Sequence, residues 1–482
     1  MAIQISGNTV IDNDRRFFGN TTTRNFFAGG AGNITTTGTD NVFIGNVAGL
    51  CNTTGTHNNF IGSSAGCSNT TGCNNNFFGN LAGRSNTTGG CNNFFGGLTG
   101  CSNTTGCNNN FFGNLAGRSN TTGSNNNFFG NLAGYSNTTG GYNNFIGSSA
   151  GRCNTTGNDN NFFGRYAGCS NTTGSNNNFI GNCAGCSNTT GSNNNFFGSS
   201  AGQSNTTGCN NNFFGNAAGC SNTTGSNNNF FGRDAGFSNT TGGCNNFFGN
   251  VAGCSNTTGC NNNFIGSSAG CCNTTGSNNN FFGNVAGRYN TTGNDNNFIG
   301  FAAGRCNTTG CHNNFFGNYA GQRNTTASNN IAIGQRAGTT GGSPGGLINF
   351  TTTGNQIVMG NASHTVACIQ IAWTLASDIR YKCVWGNVSH GRDFLRDVTP
   401  IKYSFIDHET QEVTDTHKRY GFSAQEILAL EGEEPIIVSD TNPDNLGMNY
   451  EYMIPILVNA IKELDAENKS ILARLEALEN PV

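Results

Sequence analysis

The sequence predicts a mainly β protein: a rod of parallel β-roll or β-solenoid coils, assembled from three chains, then a small α+β domain ending in a long coiled-coil helix. Three observations carry that prediction. From residue 26 to 338 the pattern N-N-F-F-G-x-x-A-G-x-x-N-T-T-G-x-N returns about nineteen times, once every seventeen residues. Around Gly338 the repeat gives way to Thr339-Thr340-Gly341-Gly342-Ser343-Pro344, and beyond Ser377 charged residues become frequent. Between about residues 450 and 480, apolar residues fall three and four apart. The expected organisation is a segment 1–25, a shaft 26–338, a neck 339–376 with short strands such as 356–360 and 368–372, and a domain 377–482.

A fixed short period means that one unit stacks on its neighbours and buries a face it would expose alone. Seventeen residues are too few for a helix pair and suit one coil of a solenoid. Charged residues make up only 10% of the chain, helix formers are scarce in the repeat, and Gly recurs at each corner. The first Phe of each unit is expected at Phe26, Phe43, Phe60, Phe77 and onward to Phe315, with Ala332 in the register of a last degenerate unit and no insertion between them.

The Phe-Phe or Phe-Ile step is the strongly apolar part of each unit and so the expected strand. Adjacent strand residues face opposite sides. One column therefore fills the coil, and the other, expected to be Phe43, Phe60, Phe77, Phe94 and their successors, runs along the outside. An exposed stripe of that length invites aggregation, which predicts burial among identical chains. The alternative is a flattened two-layer coil with both columns inside. Asn-Thr-Thr-Gly, from Asn52, Asn69 and Asn86 to Asn324, is the expected turn, with Asn tolerating left-handed backbone and Gly closing it. Stacked Asn and Thr would also form ladders between rungs. The same tripeptide fits a glycosylation sequon, a reading set aside because no secretory leader is recognisable.

The formal net charge of -3 argues against nucleic acid or an anionic membrane as partner. No apolar run is long enough to span a bilayer, and Met1-Ala2-Ile3-Gln4 does not open a signal peptide. Of the 21 cysteines, most stand in the repeats where other units carry Ser, Arg, Gly or Asn, as at Cys67, Cys101, Cys186, Cys220 and Cys254. Cys73, Cys107, Cys209, Cys260 and Cys311 each precede the aromatic pair by four residues. This is the usage of a small tolerated side chain. A sharper reading pairs Cys254 with Cys271 on successive rungs, or Cys67 with Cys73 across a turn, since rung spacing suits a disulfide. No His or carboxylate set accompanies them, so neither a metal nor another cofactor is expected.

The last segment carries Ile454, Leu457, Ile461, Leu464, Asn468, Ile471, Leu475 and Leu478, a heptad seam with one polar core position able to fix register. That spacing is narrower than a helix packed on a single domain needs, so an oligomerisation device is expected.

Residues Asn330 to Gly338, N-I-A-I-G-Q-R-A-G, resemble the head repeat of trimeric autotransporter adhesins, which implies a left-handed parallel β-roll; the other units place Phe where that pattern has a small residue. Ser377-Asp378-Ile379-Arg380-Tyr381-Lys382, then Gly421-Phe422-Ser423-Ala424-Gln425-Glu426, then Tyr450 with the run from Met453 to Leu464, closely resemble the endosialidase-type intramolecular chaperone domain. That family ends bacteriophage tail spikes and fibres, trimerises them and in many members cuts itself off. Residues 5–12 and 357–361 are also similar to segments of cyanophage fibre proteins.

The resemblance places a serine nucleophile on Ser377, a lysine base on Lys382 and the scissile bond at Ala376–Ser377, with Asp378 as an orienting group and Arg380 as a supporting cation. In a Ser-Lys dyad a neutral amine removes the hydroxyl proton. A free lysine titrates near ~10.4, so a base working near neutral pH needs roughly 4–5 kcal/mol in favour of its uncharged form. Desolvation and a nearby cation supply that kind of bias, and closure of three chains would provide the desolvation. Cys383 and Trp385 depart from the family's usual polar and small residues. His364, His390, His408 and His417 are expected to be surface or structural groups.

The expected protein is a homotrimeric virion fibre assembled in the host cytoplasm, a single-turnover serine endopeptidase toward itself. Its amino-terminal segment would join a tail or baseplate protein, and its shaft and neck would meet a host surface glycan or protein receptor. Two other classes remain as alternatives: an ice-binding solenoid, favoured by the Thr arrays, and a bacterial surface adhesin.

Overall fold

A computed structural model describes residues 3–5, 8–11, 22–33, 35–339, 350–361, 363–364, 377–404, 406, 412–413, 417–432, 435–439 and 446–479. The expected strand 368–372 lies outside them, as do most of the segment 1–25 and His408. Within 1–25, Ile3–Ile5 and Asn8–Ile11 pair as antiparallel strands.

Nineteen three-residue strands from Phe26–Ala28 to Ile331–Ile333, joined by Ile357–Met359, pair in parallel with their sequence neighbours in one continuous ladder. The protein is mainly β, a solenoid of seventeen-residue coils. One departure from the expected period opens it: Phe27, not Phe26, aligns with Phe43 and stacks on its ring at 5.3 Å. The first coil is therefore one residue short.

The two aromatic columns are the reverse of the expectation. Phe43, Phe60, Phe77, Phe94 and their successors to Phe315 are fully buried inside the coil. The second position, Ile44, Ile61, Phe78, Phe95 and onward, faces out. Strict alternation requires the two to part but does not say which goes in. Glycine decides it. A Cβ on Gly66 would lie 2.5 Å from Phe60 Cε2, so the ring occupies the space that the glycine six residues later leaves free. Inner rings stack 4.6 Å to 4.9 Å apart and nearly coplanar from Phe43 to Phe315, a spacing set by the backbone ladder. At the far end Ala332 is too small to continue the column. Phe350 comes back over Phe315 at 5.7 Å to close it.

Two asparagine ladders complete the interior. Asn69 Nδ2 donates to Asn52 Oδ1 at 2.8 Å and to the Gly72 carbonyl at 3.0 Å, and this repeats from rung to rung. The second ladder passes through Asn58 and Asn75, whose Nδ2 groups reach the Gly72 and Gly89 carbonyls. Burying a polar side chain is tolerable only when it is hydrogen-bonded. Periodicity meets that demand along the asparagine ladders except at the end, where Asn324 Oδ1 has no partner among the described residues. These Asn residues are buried ladder groups rather than left-handed turn residues, a correction to the expected turn. Left-handed backbone falls instead three residues before and four after each buried Phe, as at Asn74 (φ 61) and Leu81 (φ 62). Threonine makes the expected ladder, Thr70 Oγ1 donating to the Thr87 carbonyl at 3.1 Å.

The twenty described cysteines are free thiols. Cys254 Sγ lies 3.2 Å from Cys271 Sγ, and Cys169 Sγ lies 3.4 Å from Cys186 Sγ, each pair on successive rungs. Cys73 Sγ does not meet Cys67; it donates to the Thr71 carbonyl.

Residues from 361 onward belong to a second compact unit. It contains α1 (Arg392–Asp397), an antiparallel pair Ile401–Tyr403 with Arg419–Gly421, α2 (Ala424–Glu431), a second pair Val438–Ser439 with Gly447–Met448, and α3 (Met453–Glu479). Its core is Val398, Ile427, Ile437, Val438, Met453 and Ile456. Ser423 caps α2 by accepting from Glu426 N at 3.3 Å. Glu431 at the end of α2 accepts the amides of Ile436, Ile437 and Val438, tying the next strand to the helix.

Candidate functional site

Ser377 and Lys382 are five residues apart and meet because the chain between them curls. Asp378 starts a short 3-10 turn, Ile379–Tyr381, its Oδ1 accepting from Arg380 N at 2.9 Å. Lys382 N then donates to the Ile379 carbonyl. The curl brings Lys382 Nζ to 2.6 Å from Ser377 Oγ, within the distance at which an amine and a hydroxyl exchange a proton. Asp378 and Arg380 are committed to each other, Arg380 Nη2 to Asp378 Oδ2 at 2.5 Å. The guanidinium, followed by the Arg380 amide, holds the Asp378 carboxyl below its usual range. Arg380 is thus a neutralised cation, and Asp378 shapes the turn. Ala376, on the other side of the expected scissile bond, lies outside the described residues.

Ser377, Asp378, Ile379, Arg380 and Lys382 are all exposed in the single chain. Ile379, Val384 and Trp385 are exposed beside it, Trp385 to 95%. Large apolar side chains thus stand in water around the Ser-Lys contact.

Behind the turn the chain is tethered to α3. Asn459 Nδ2 donates to the His390 carbonyl at 3.0 Å, Glu463 Oε2 accepts from Arg392 N at 2.7 Å, and Arg392 pairs with Glu467. The His390 ring packs on Phe394 with centroids 4.4 Å apart, a structural role. His364 bonds Asn361, and the His417 carbonyl accepts from Ser404 Oγ. Sequence reasoning gave no role to Asn459, Glu463 or Arg392. The available signal was that Asn459 and Glu463 sit on a heptad helix but off its seam. Among the described residues no cluster of His, Cys, Asp and Glu is built to hold a metal ion.

Residues 377–434 match the family model described as chaperone of endosialidase. The matched span opens on the serine that touches Lys382, and it takes in α1, α2 and the strands between them. No curated protein and no solved structure matches the chain.

On α3 the chaperone unit presents two faces. Met453, Ile456 and Ala460 are buried in its own core. Ile454, Leu457, Ile461, Leu464, Ile471, Leu475 and Leu478 are exposed. These are the heptad residues, with Asn468 among them.

Proposed function

We propose that the protein is a homotrimeric bacteriophage tail fibre whose chaperone domain aligns three chains and then cuts the bond Ala376–Ser377. One observation carries the proposal. The solenoid leaves an unbroken apolar column and α3 an apolar heptad face interrupted at Asn468, each without a partner, and parallel copies of the same chain would cover both at once. On the solenoid it is the outer Phe/Ile column, with Phe78, Phe95 and Phe112 stacked 4.7 Å apart. On α3 it is the heptad face, where apolar residues three and four apart suit a neighbouring parallel helix.

Three chains closing over the turn at 377–385 would bury Ile379, Val384 and Trp385 and take Lys382 out of water. The neutral amine then accepts the Ser377 hydroxyl proton, and Oγ attacks the Ala376 carbonyl carbon. The Ala376–Ser377 C–N bond breaks as Lys382 passes that proton to the Ser377 nitrogen, which leaves as an amine. The resulting ester is hydrolysed by water, leaving an Ala376 carboxylate and a free Ser377. The amino-terminal segment would attach to a tail or baseplate protein, and the shaft would contact the host surface. The Thr arrays of an ice-binding rod account for neither the dyad nor the heptads.

Intact mass and sedimentation of the recombinant chain test this reading. The expected result is a trimer with a separate fragment 377–482, and an uncut trimer for Ser377→Ala and Lys382→Met. A monodisperse monomer, or cleavage that survives Lys382→Met, would refute it.

A further inference from the structure

The repeat separates its charges in a way that neither the fold nor self-cleavage requires. Between residues 26 and 338 there are nine arginines, four aspartates and neither lysine nor glutamate. All nine arginines fall three to eight residues after the buried strand position, on the Ala-Gly loop edge of the coil. Three aspartates, Asp40, Asp159 and Asp295, and both histidines, His57 and His312, fall three residues before that position, on a different column. Asp234 alone shares the arginine edge, and there it pairs with Arg233 at 3.3 Å.

Five arginines occupy one column, seven residues after the buried Phe: Arg84, Arg118, Arg152, Arg288 and Arg305. None has a carboxylate partner among the described residues. Arg288 and Arg305 are adjacent rungs, so two like charges lie side by side, both against the Tyr289 ring at 5.3 Å and 5.6 Å. Their Nε atoms are buried without a hydrogen-bond partner. Stacking on a ring holds a guanidinium in place without neutralising it. Tyr166 and Tyr319 hold Arg165 and Arg336 in the same manner on this edge.

We infer that the Ala-Gly loop edge is a binding surface for a linear acidic polysaccharide. Guanidinium forks would take its carboxylates, and the edge tyrosines would pack on its sugar rings. Charge spacing favours this ligand over nucleic acid. Arg84, Arg118 and Arg152 stand on every second rung, twice the 4.8 Å rung spacing apart, whereas duplex DNA carries one charge per ~1.7 Å. A sparse row of arginines suits a sparsely charged polymer. The inference rests on reading the shaft as the part that meets the host, and it gives that contact a chemistry.

The test uses the full chain with polygalacturonate oligomers, neutral dextran oligomers of the same length and a single-stranded oligonucleotide, at low and raised salt. Polygalacturonate is expected to bind, more weakly as salt rises, and dextran not to bind. Arg288→Gln with Arg305→Gln should weaken binding by about tenfold or more. The exposed set Arg84→Gln, Arg118→Gln and Arg152→Gln should weaken it as well, and Lys462→Gln on α3 should leave it unchanged. Equal binding of dextran, preference for the oligonucleotide, absence of polygalacturonate binding or indifference to both arginine sets would overturn the inference. Sedimentation of the same samples separates this outcome from the fibre reading: a trimer that binds no polyanion refutes the inference alone, and a monomer that binds refutes the trimer alone.

Discussion

Asn171 is a small residue with three obligations. Its Nδ2 donates to Asn154 Oδ1 at 2.8 Å and to the Gly174 carbonyl at 2.9 Å, while its Oδ1 accepts from Asn188 Nδ2 at 2.8 Å. Asn171→Leu would strand buried donors and acceptors on both neighbouring rungs, costing about 1–3 kcal/mol for each group left unpaired. Because each rung touches only its neighbours, amide exchange should rise around rungs 154–191 and stay unchanged at distant rungs. Uniform loss of protection along the shaft would contradict that. The thiols make a second prediction at this scale. The thiol contacts with Cys186 and Cys271 pull Cys169 and Cys254 down to about 6. Burial pushes Cys101 and Cys220 up. Thiolate is the reactive form, so at pH 7 iodoacetamide should label Cys169 and Cys254 ahead of Cys101 and Cys220. That advantage should fade as pH falls through about 6, a trend peptide mass mapping at pH 5 and pH 7 would read. Ser377 and Lys382 were legible as a pair from their motif, yet the curl that joins them depends on Asp378 capping its own turn, and their exposure was not legible at all.

A single rung is one strand and its glycine-rich return, and α3 is one helix with two faces. Its buried face, Met453, Ile456 and Ala460, belongs to the chaperone core, so substitution there would damage the fold. Ile461, exposed to 64%, faces away from that core. Ile461→Asp should therefore leave the chaperone unit folded and abolish the trimer. Sedimentation would report the lost assembly and circular dichroism the retained helix; an intact trimer would show that α3 is not the seam. The heptad was readable because three-four spacing survives any context. The inner aromatic column was not, since alternation fixes only that the two columns part. The glycine six residues later chose the interior, and that role appears only once the coil is closed.

Over the whole chain, identical rungs make register the weak point. Shifting one chain by seventeen residues would still match Phe to Phe, so the shaft by itself specifies alignment poorly. A domain that trimerises first would set the register from one end, and the long-range parallel contacts would then propagate. A chain ending at residue 376 is expected to give polydisperse, aggregating shafts, whereas the full chain cut after assembly should keep a trimeric shaft that unfolds slowly. Sedimentation and unfolding rates of the two preparations decide it; equal behaviour would remove the need for a chaperone.

The sequence alone determined the period, the solenoid and the placement of helix and rod along the chain, because each is written in spacing that backbone geometry must obey; the Ser377 and Lys382 pair was implied by resemblance to a family and not by spacing. Tertiary structure decided which Phe column is inside, that Asn52 and its repeats are buried ladder groups, that Phe27 rather than Phe26 starts the stack and that Phe350 ends it. Those outcomes follow from space left by absent Cβ atoms and from hydrogen bonds between rungs, and neither exists until one coil lies on another.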